Sequence, residues 1–163
     1  MPRIVIFGNS GSGKLTLAAE KAELQVCAHL DLDTVAWDPG NNTPTRKPLA
    51  DSEKLIAPFL ADNENWVIEG CYSDLLELVI PHCTEIVFLN PGIDICATNC
   101  RNRPWEPHKY GSPAEQDANL DMLLRWVEQY PQRNDEFSLQ AHRRIYDSFS
   151  GVKREYTSNE RPA

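Results

Sequence analysis

The 163-residue chain has no apolar run approaching the roughly 18 residues of a membrane-crossing helix, and Met1-Pro2-Arg3 leads straight into the apolar run Ile4-Val5-Ile6-Phe7 instead of a secretory leader, so a cytoplasmic protein is expected. It has no internal repeat and no low-complexity tract. It has no excess of basic residues: the net charge of −8 disfavours a nucleic-acid surface, which normally carries a basic stripe. It also lacks the cysteine pattern of a disulfide framework or a zinc site. Cys27, Cys71, Cys83, Cys96 and Cys100 are odd in number and scattered, and only Cys96 and Cys100, with three residues between them, share a helix. His82 beside Cys83 does not extend to a four-ligand set, so no metal ligand is assigned. What remains, 41% hydrophobic and 25% charged residues, is the composition of one ordinary globular domain, and a chain of this length buries about two-thirds of its unfolded surface.

Short apolar runs alternate with helical segments, the pattern of an α/β fold with a mainly parallel, five-stranded sheet flanked by helices. Strands are expected at 4–7, 26–30, 66–68 and 85–89, with a polar edge strand at 152–157; helices are expected at 15–24, 51–61, 73–80, 93–102, 114–130 and 135–149. The first four strands are rich in Val, Ile and aromatic residues, as strands buried on both faces are. Two segments carry too much Pro and Gly to be elements: 37–48, with Pro39, Gly40, Asn42, Pro44 and Pro48, and 103–113, with Pro104, Pro107, Gly111 and Pro113. Long loops of this kind are often functional, and the second is expected to form a lid near 103–116.

Between the first strand and the first helix stands Gly8-Asn9-Ser10-Gly11-Ser12-Gly13-Lys14, the strand-loop-helix setting of a phosphate-binding P-loop. The glycines free the backbone for positive φ, so successive amides converge on one anion at the positive end of the helix dipole. Lys14 adds an ammonium that can follow the β- and γ-phosphates. Gly8 to Lys14, with Leu15 and Thr16, are therefore the expected nucleotide site. Position 15 lacks the Ser or Thr hydroxyl that would hold Mg²⁺, and a hard cation that wants oxygen gains nothing from Leu15.

In open α/β sheets ligands bind beyond the carboxyl ends of the strands. After the second strand comes Asp31-Leu32-Asp33, whose carboxylates either meet a ligand hydroxyl or Mg²⁺-bound water, or cap the strand end. After the third comes Glu69-Gly70-Cys71-Tyr72: Gly70 permits close backbone approach, and Glu69 binds a ligand hydroxyl or caps the next helix. After the fourth comes Asn90-Pro91, a neutral residue where many P-loop enzymes carry a metal-directed acid. Arg101 and Arg103 open the second Pro-rich loop, either as solvated charge at a helix C-terminus or as lid cations that close over a phosphate. Trp126 and Tyr130 lie on an apolar helix face, and His142-Arg143-Arg144 reads as solvated charge.

These motifs, in this order and with Trp37 following Asp33, resemble the P-loop kinase-like DNA topology modulation protein family, related to adenylate and shikimate kinases. The resemblance covers most of the chain. It implies a single-domain P-loop NTPase fold of adenylate/shikimate kinase type with a lid, ATP as phosphoryl donor, and a small-molecule acceptor near Asp31, Asp33, Trp37, Glu69, Gly70 and Tyr72. The P-loop, the strand-end carboxylates and the lid arginines together make Lys14, Asp33, Arg101 and Arg103 the expected groups in transfer, and the likeness to adenylate kinases implies that Thr16 contacts the α-phosphate. Adenylate kinases likewise have no hydroxyl next to the lysine, their Mg²⁺ being held largely through water and phosphate. Family members have Ser where this chain has Leu15 and Asp where it has Asn90, and the usual helix after the last strand is not expected from Ser158 to Ala163, which is short and carries Arg161-Pro162. Two functions are compatible with this pattern: a small-molecule kinase, and a catalytically weakened nucleotide-binding regulatory module.

Overall fold

Alternation along the buried strands decides the layering. Val5 and Phe7 project to one side of the sheet with Trp66, Ile68, Ile86 and Phe88, while Ile4 and Ile6 project to the other with Val67, Val87 and Leu89. All are at most 1% exposed, so the central strands must be covered on both faces. Each such side chain contributes roughly 1.5–3 kcal/mol on burial.

The computed structural model describes residues 1–38 and 44–160. Pro39, Gly40 and Asn42 of the first Pro-rich segment, and Arg161 and Pro162, lie outside the described residues. In chain order the elements are β1 (Arg3–Gly8), α1 (Lys14–Gln25), β2 (Ala28–Asp31), α2 (Asp33–Ala36), β3 (Trp37–Asp38), β4 (Thr45–Arg46), α3 (Leu49–Asp62), β5 (Trp66–Gly70), α4 (Ser73–Val79), a 3-10 turn (Ile80–His82), β6 (Glu85–Leu89), α5 (Ile93–Arg101), α6 (Pro113–Glu128), α7 (Leu139–Ser148) and β7 (Val152–Tyr156). The main sheet has five strands in the order β2-β5-β1-β6-β7, all parallel. This is the expected P-loop α/β fold. Helices α3, α4 and α7 cover one face around Ile56, Leu75, Leu76 and Ile145, and α1 covers the other through Leu17 and Ala18.

Several boundaries differ from expectation for local reasons. The second strand starts at Ala28 and not at Val26, because Val26 takes a left-handed conformation (φ 53°) and donates its N–H to Ala22 O, closing α1. Residues 37–48 are not wholly loop: β3 and β4 pair antiparallel, Trp37 opposite Arg46. The second Pro-rich segment is irregular only as far as Ser112, whose Oγ accepts from Glu115 N at 3.2 Å and caps α6 ahead of Pro113. Ser138 Oγ caps α7 through Ala141 N at 3.0 Å, so that helix begins later than its polar N-terminal stretch suggests. No helix among the described residues is long and apolar enough to cross a membrane.

Candidate functional site

The carboxyl ends of β1, β2, β5 and β6 point to one end of the sheet, where a cleft of about 490 Å³ opens. One wall is the loop between β1 and α1. Gly11 (φ 78°) and Gly13 (φ 97°) adopt conformations that side chains rarely take, and Gly13 occupies the N-cap of α1 with no side-chain cap, leaving the first helical amides unpaired. The loop is pinned from outside the motif. Asn9 Nδ2 donates to Val127 O on α6 at 3.2 Å, and Asn99 Nδ2 on α5 donates to Gly11 O at 2.8 Å. A Cβ on Gly11 would come within 2.3 Å of Cys96 O and 2.6 Å of Cys100 Sγ, so α5 packs directly against the loop backbone. Lys14 Nζ donates to Asn9 O at 2.8 Å.

Among the expected nucleotide residues, Ser10, Gly11, Gly13, Lys14, Leu15 and Thr16 line the cleft, whereas Gly8, Asn9 and Ser12 support it from behind. The Leu15 side chain stands half-buried in the cleft wall and belongs to none of the core clusters.

The opposite wall is assembled from strand ends and the 103–112 loop. Asp31 and Asp33 come together where the chain leaves β2. Leu32 turns the chain into α2, Asp33 N donates to Asp31 Oδ1 at 2.9 Å, and Leu32 itself is buried against Gly70. A Cβ on Gly70 would lie 2.8 Å from that of Leu32. The glycine is required by this packing as well as standing at the cleft surface. Trp37 Nε1 donates to the Tyr72 hydroxyl at 2.7 Å, and that hydroxyl donates to Asp33 Oδ1 in a short hydrogen bond. Arg46 holds this chain in place, its guanidinium 4.8 Å from the Tyr72 ring and in a two-pronged contact with Asp74 at 3.2 and 3.0 Å.

The second Pro-rich loop supplies a residue that sequence reasoning missed. Lys109 Nζ lies 2.8 Å from Asp33 Oδ2, 3.8 Å from Asp31 Oδ2 and 3.3 Å from Glu106 Oε2. The loop is wound around Glu106, 7% exposed, whose carbonyl accepts from Lys109 N and Tyr110 N and whose Oε1 meets Arg103 Nε at 3.2 Å. Lys109 and Glu106 belong to no local motif; a lone Lys and a lone Glu among prolines gave no signal. Arg103 and Glu106 line the cleft. Arg101 is exposed at the end of α5 and faces a separate small pocket beside Tyr110.

Burial and these contacts polarise the acids. Desolvation works against the Asp33 charge, but Lys109 and the Tyr72 hydroxyl more than offset it and hold the carboxyl below the usual range. Glu69 is 4% exposed at the cleft surface. Burial first, then the neighbouring Asp31 and Asp33, push its pKa up to about 8. Lys109, although desolvated, is raised by Asp33, Asp31 and Glu106.

His142 is not solvated charge. It is fully buried, with Nε2 2.8 Å from Cys71 O and Nδ1 2.6 Å from the Tyr130 hydroxyl, which fits an imidazole donating through Nε2 and accepting at Nδ1. Burial lowers its pKa to about 4, so it stands as a neutral strut beneath the Cys71-Tyr72 turn.

The donor set does not suit a directly bound Mg²⁺. Leu15 offers hydrocarbon, and Asn90 donates its amide to Glu155 Oε2 at 3.2 Å. No group of three or more His, Cys, Asp or Glu side chains among the described residues can hold a metal ion.

No protein-family model matches the chain, and no curated protein matches it by sequence. Solved structures do. A gluconokinase from Sinorhizobium meliloti 1021 aligns at 18% identity over 94% of this chain and 82% of that one, with a TM-score of 0.52. The protein TT1252 from Thermus thermophilus aligns at 14% identity over 97% and 90%, with a TM-score of 0.54. A shikimate kinase from Bacteroides thetaiotaomicron covers 90% of this chain and 97% of its own at 19% identity, with a TM-score of 0.48. The chain shares the single-domain α/β P-loop fold of the first two.

Proposed function

We propose that the chain is an ATP-dependent phosphotransferase acting on a small hydroxyl-bearing acceptor. One observation carries this reading: a single cleft joins the Gly11-Gly13-Lys14 end to an acid corner of Asp33 and Glu69 beneath Arg103 and Lys109. Residues 103–116 act as a lid over a domain that spans the chain. The loop amides and Lys14 hold the triphosphate, with Thr16 toward the α-phosphate. Asp33 orients the acceptor hydroxyl, since each carboxylate oxygen keeps a free lone pair beside its Tyr72 or Lys109 contact. The acceptor oxygen bonds to the γ-phosphorus as the bond to the β,γ-bridging oxygen breaks. ADP leaves with that electron pair, and the hydroxyl proton passes to Asp33. Arg103 offsets charge on the transferring group, while Trp37 and Tyr72 fix the Asp33 carboxylate. Lid closure excludes water. Mg²⁺ is left to the nucleotide's own phosphates and water. The likeness to the DNA topology modulation family is a likeness of motif order and belongs to this same reading.

Leu15 in the cleft wall and the engagement of Asn90 by Glu155 favour a second reading, a nucleotide-binding module with weakened turnover. One titration separates the two. ATP binding by calorimetry and ADP release are measured with and without Mg²⁺ for the wild type and Lys14→Ala. A kinase binds ATP with an affinity that falls about tenfold to a hundredfold on loss of the Lys14 ammonium and releases ADP in a Mg²⁺-dependent way. The module binds ATP through Lys14 with little Mg²⁺ dependence and no release. Absence of Lys14-dependent binding defeats both.

A further inference from the structure

Resting on the phosphotransferase reading, we propose that Lys109 decides between acceptor and water: its ammonium clamps Asp33 while the acceptor position is empty, and a bound acceptor displaces it, so that ATP is not hydrolysed in the meantime. The first observation is the path of the loop that carries Lys109. The loop leaves α5, which follows β6, and returns to α6, whereas Asp33 follows β2 at one edge of the sheet. In the order β2-β5-β1-β6 these strand ends stand three spacings apart, about 14 Å, with the phosphate-binding turn after β1 between them. Among the described residues, the polar contacts by which this loop crosses to the β2 side are those of Lys109, 2.8 Å from Asp33 Oδ2 and 3.8 Å from Asp31 Oδ2.

The second observation is that the loop is held together without the Lys109 side chain. Gln116 on α6 accepts from Glu106 N at 2.8 Å and donates to Pro104 O at 3.1 Å, Asn119 donates to the Tyr110 hydroxyl at 2.9 Å, and Trp105 Nε1 donates to Tyr110 O at 3.1 Å. The loop therefore moves as a unit, with the ammonium as its strap to Asp33. The strap is also built to let go. Glu106, on the same loop, stands 3.3 Å from Lys109 Nζ, so an ammonium drawn off Asp33 keeps an acid partner and opening strands no bare cation. The third observation is which acid is clamped. Desolvation by itself would make Asp33 readier to hold a proton, but Lys109 and the Tyr72 hydroxyl outweigh it, so the clamped carboxylate is a poor proton acceptor. Hydrolysis needs that acceptor. The water oxygen bonds to the γ-phosphorus, the bond to the β,γ-bridging oxygen breaks, and the water proton passes to Asp33, leaving ADP and phosphate. A water molecule has no further contacts with which to move the ammonium. An acceptor fills the rest of the corner, and its binding energy drives the displacement.

The test follows ATP and Mg²⁺ with no acceptor added. ADP release and ATP binding by calorimetry are recorded for the wild type, Lys109→Met, Lys109→Arg and the double variant Lys109→Met with Asp33→Asn. Lys109→Met should raise ADP release at least fivefold, a gain that mere loss of structure does not produce. Lys109→Arg, which returns a cation to the reach of Asp33, should restore the suppression, and the double variant should lose the gain. Trypsin reads the clamp itself, because the Lys109 side chain must leave its acids to enter the protease's binding pocket. Asp33→Asn should speed cleavage of the Lys109–Tyr110 bond at least threefold, with cleavage after the exposed Lys54 of α3 unchanged. The proposal is overturned, with the phosphotransferase reading intact, if ATP binds but Lys109→Met releases ADP no faster than the wild type. It is overturned equally if the gain survives Asp33→Asn or if the Lys109–Tyr110 bond is cut no faster. Absence of ATP binding from every form, with the faster cleavage retained, instead removes the phosphotransferase reading and the choice between acceptor and water with it, and leaves the clamp on Asp33 standing.

Discussion

At the phosphate end of the cleft the groups that would meet a ligand are backbone amides, aimed by glycines a few residues apart and braced by Asn9 and Asn99. At the acceptor end they are side chains delivered by separate segments: Asp33 after β2, Glu69 at the end of β5, Arg103 and Lys109 from the Pro-rich loop. The first construction couples binding to folding, because the loop backbone cannot change without moving α5. The second couples binding to charge, because its pieces are fixed by hydrogen bonds and ion pairs that a single substitution can remove with the fold intact. The phosphate end should therefore fail by losing structure, and the acceptor end by losing chemistry.

Asp33→Asn probes the acceptor end most severely. It should lower the rate of phosphoryl transfer by about 10² to 10⁴-fold, the range for a positioned acid–base group. ATP affinity by calorimetry should stay within about twofold, since the phosphates lie at the other end; a parallel loss of ATP binding would mean that the two ends are not separable.

Gly11→Ala probes the phosphate end. The residue's φ of 78° and the 2.3 Å approach to Cys96 O mean that the added methyl strains the backbone and displaces α5. Together these cost about 3 kcal/mol of stability by urea unfolding, with ATP binding lost at the same time. Unchanged stability with only weakened ATP binding would remove the proposed dependence on α5.

The third expected effect is a pH dependence confined to the acceptor end, small over any one pH unit. Glu69 has a folded pKa of about 8 against an ordinary value of 4.5, so between these values the folded chain holds a proton that the unfolded chain has lost. Stability should then decline as pH rises from about 5 to about 8, by up to about 1.4 kcal/mol per pH unit. Glu69→Gln should flatten this slope. An identical slope in wild type and variant would show that Glu69 titrates normally.

The legible parts of the molecule were those fixed by neighbours in the chain. Gly8 to Lys14 followed by a helix was readable because positive φ at closely spaced glycines and a free helix N-terminus are local properties. The buried strands were readable because a side chain's environment shows in its own polarity. His142 was misread as solvated, since its burial depends on Tyr130 and on the Cys71 carbonyl arriving on either side of the ring. Lys109 was not seen at all. Its ion pairs with Asp33 and Asp31 exist only because a Pro-rich loop, wound around the buried Glu106, folds back over β2.

The sequence by itself determined the parallel α/β sheet, the phosphate-binding turn and the absence of a hydroxyl beside Lys14, because hydrophobic period, backbone freedom and side-chain identity act over a few residues. Only the tertiary structure decided which acids share Lys109, why Gly70 must be glycine and which carboxyl is buried beside other acids. Electrostatic and packing interactions depend on distance in space, and spacing along the chain does not encode that distance.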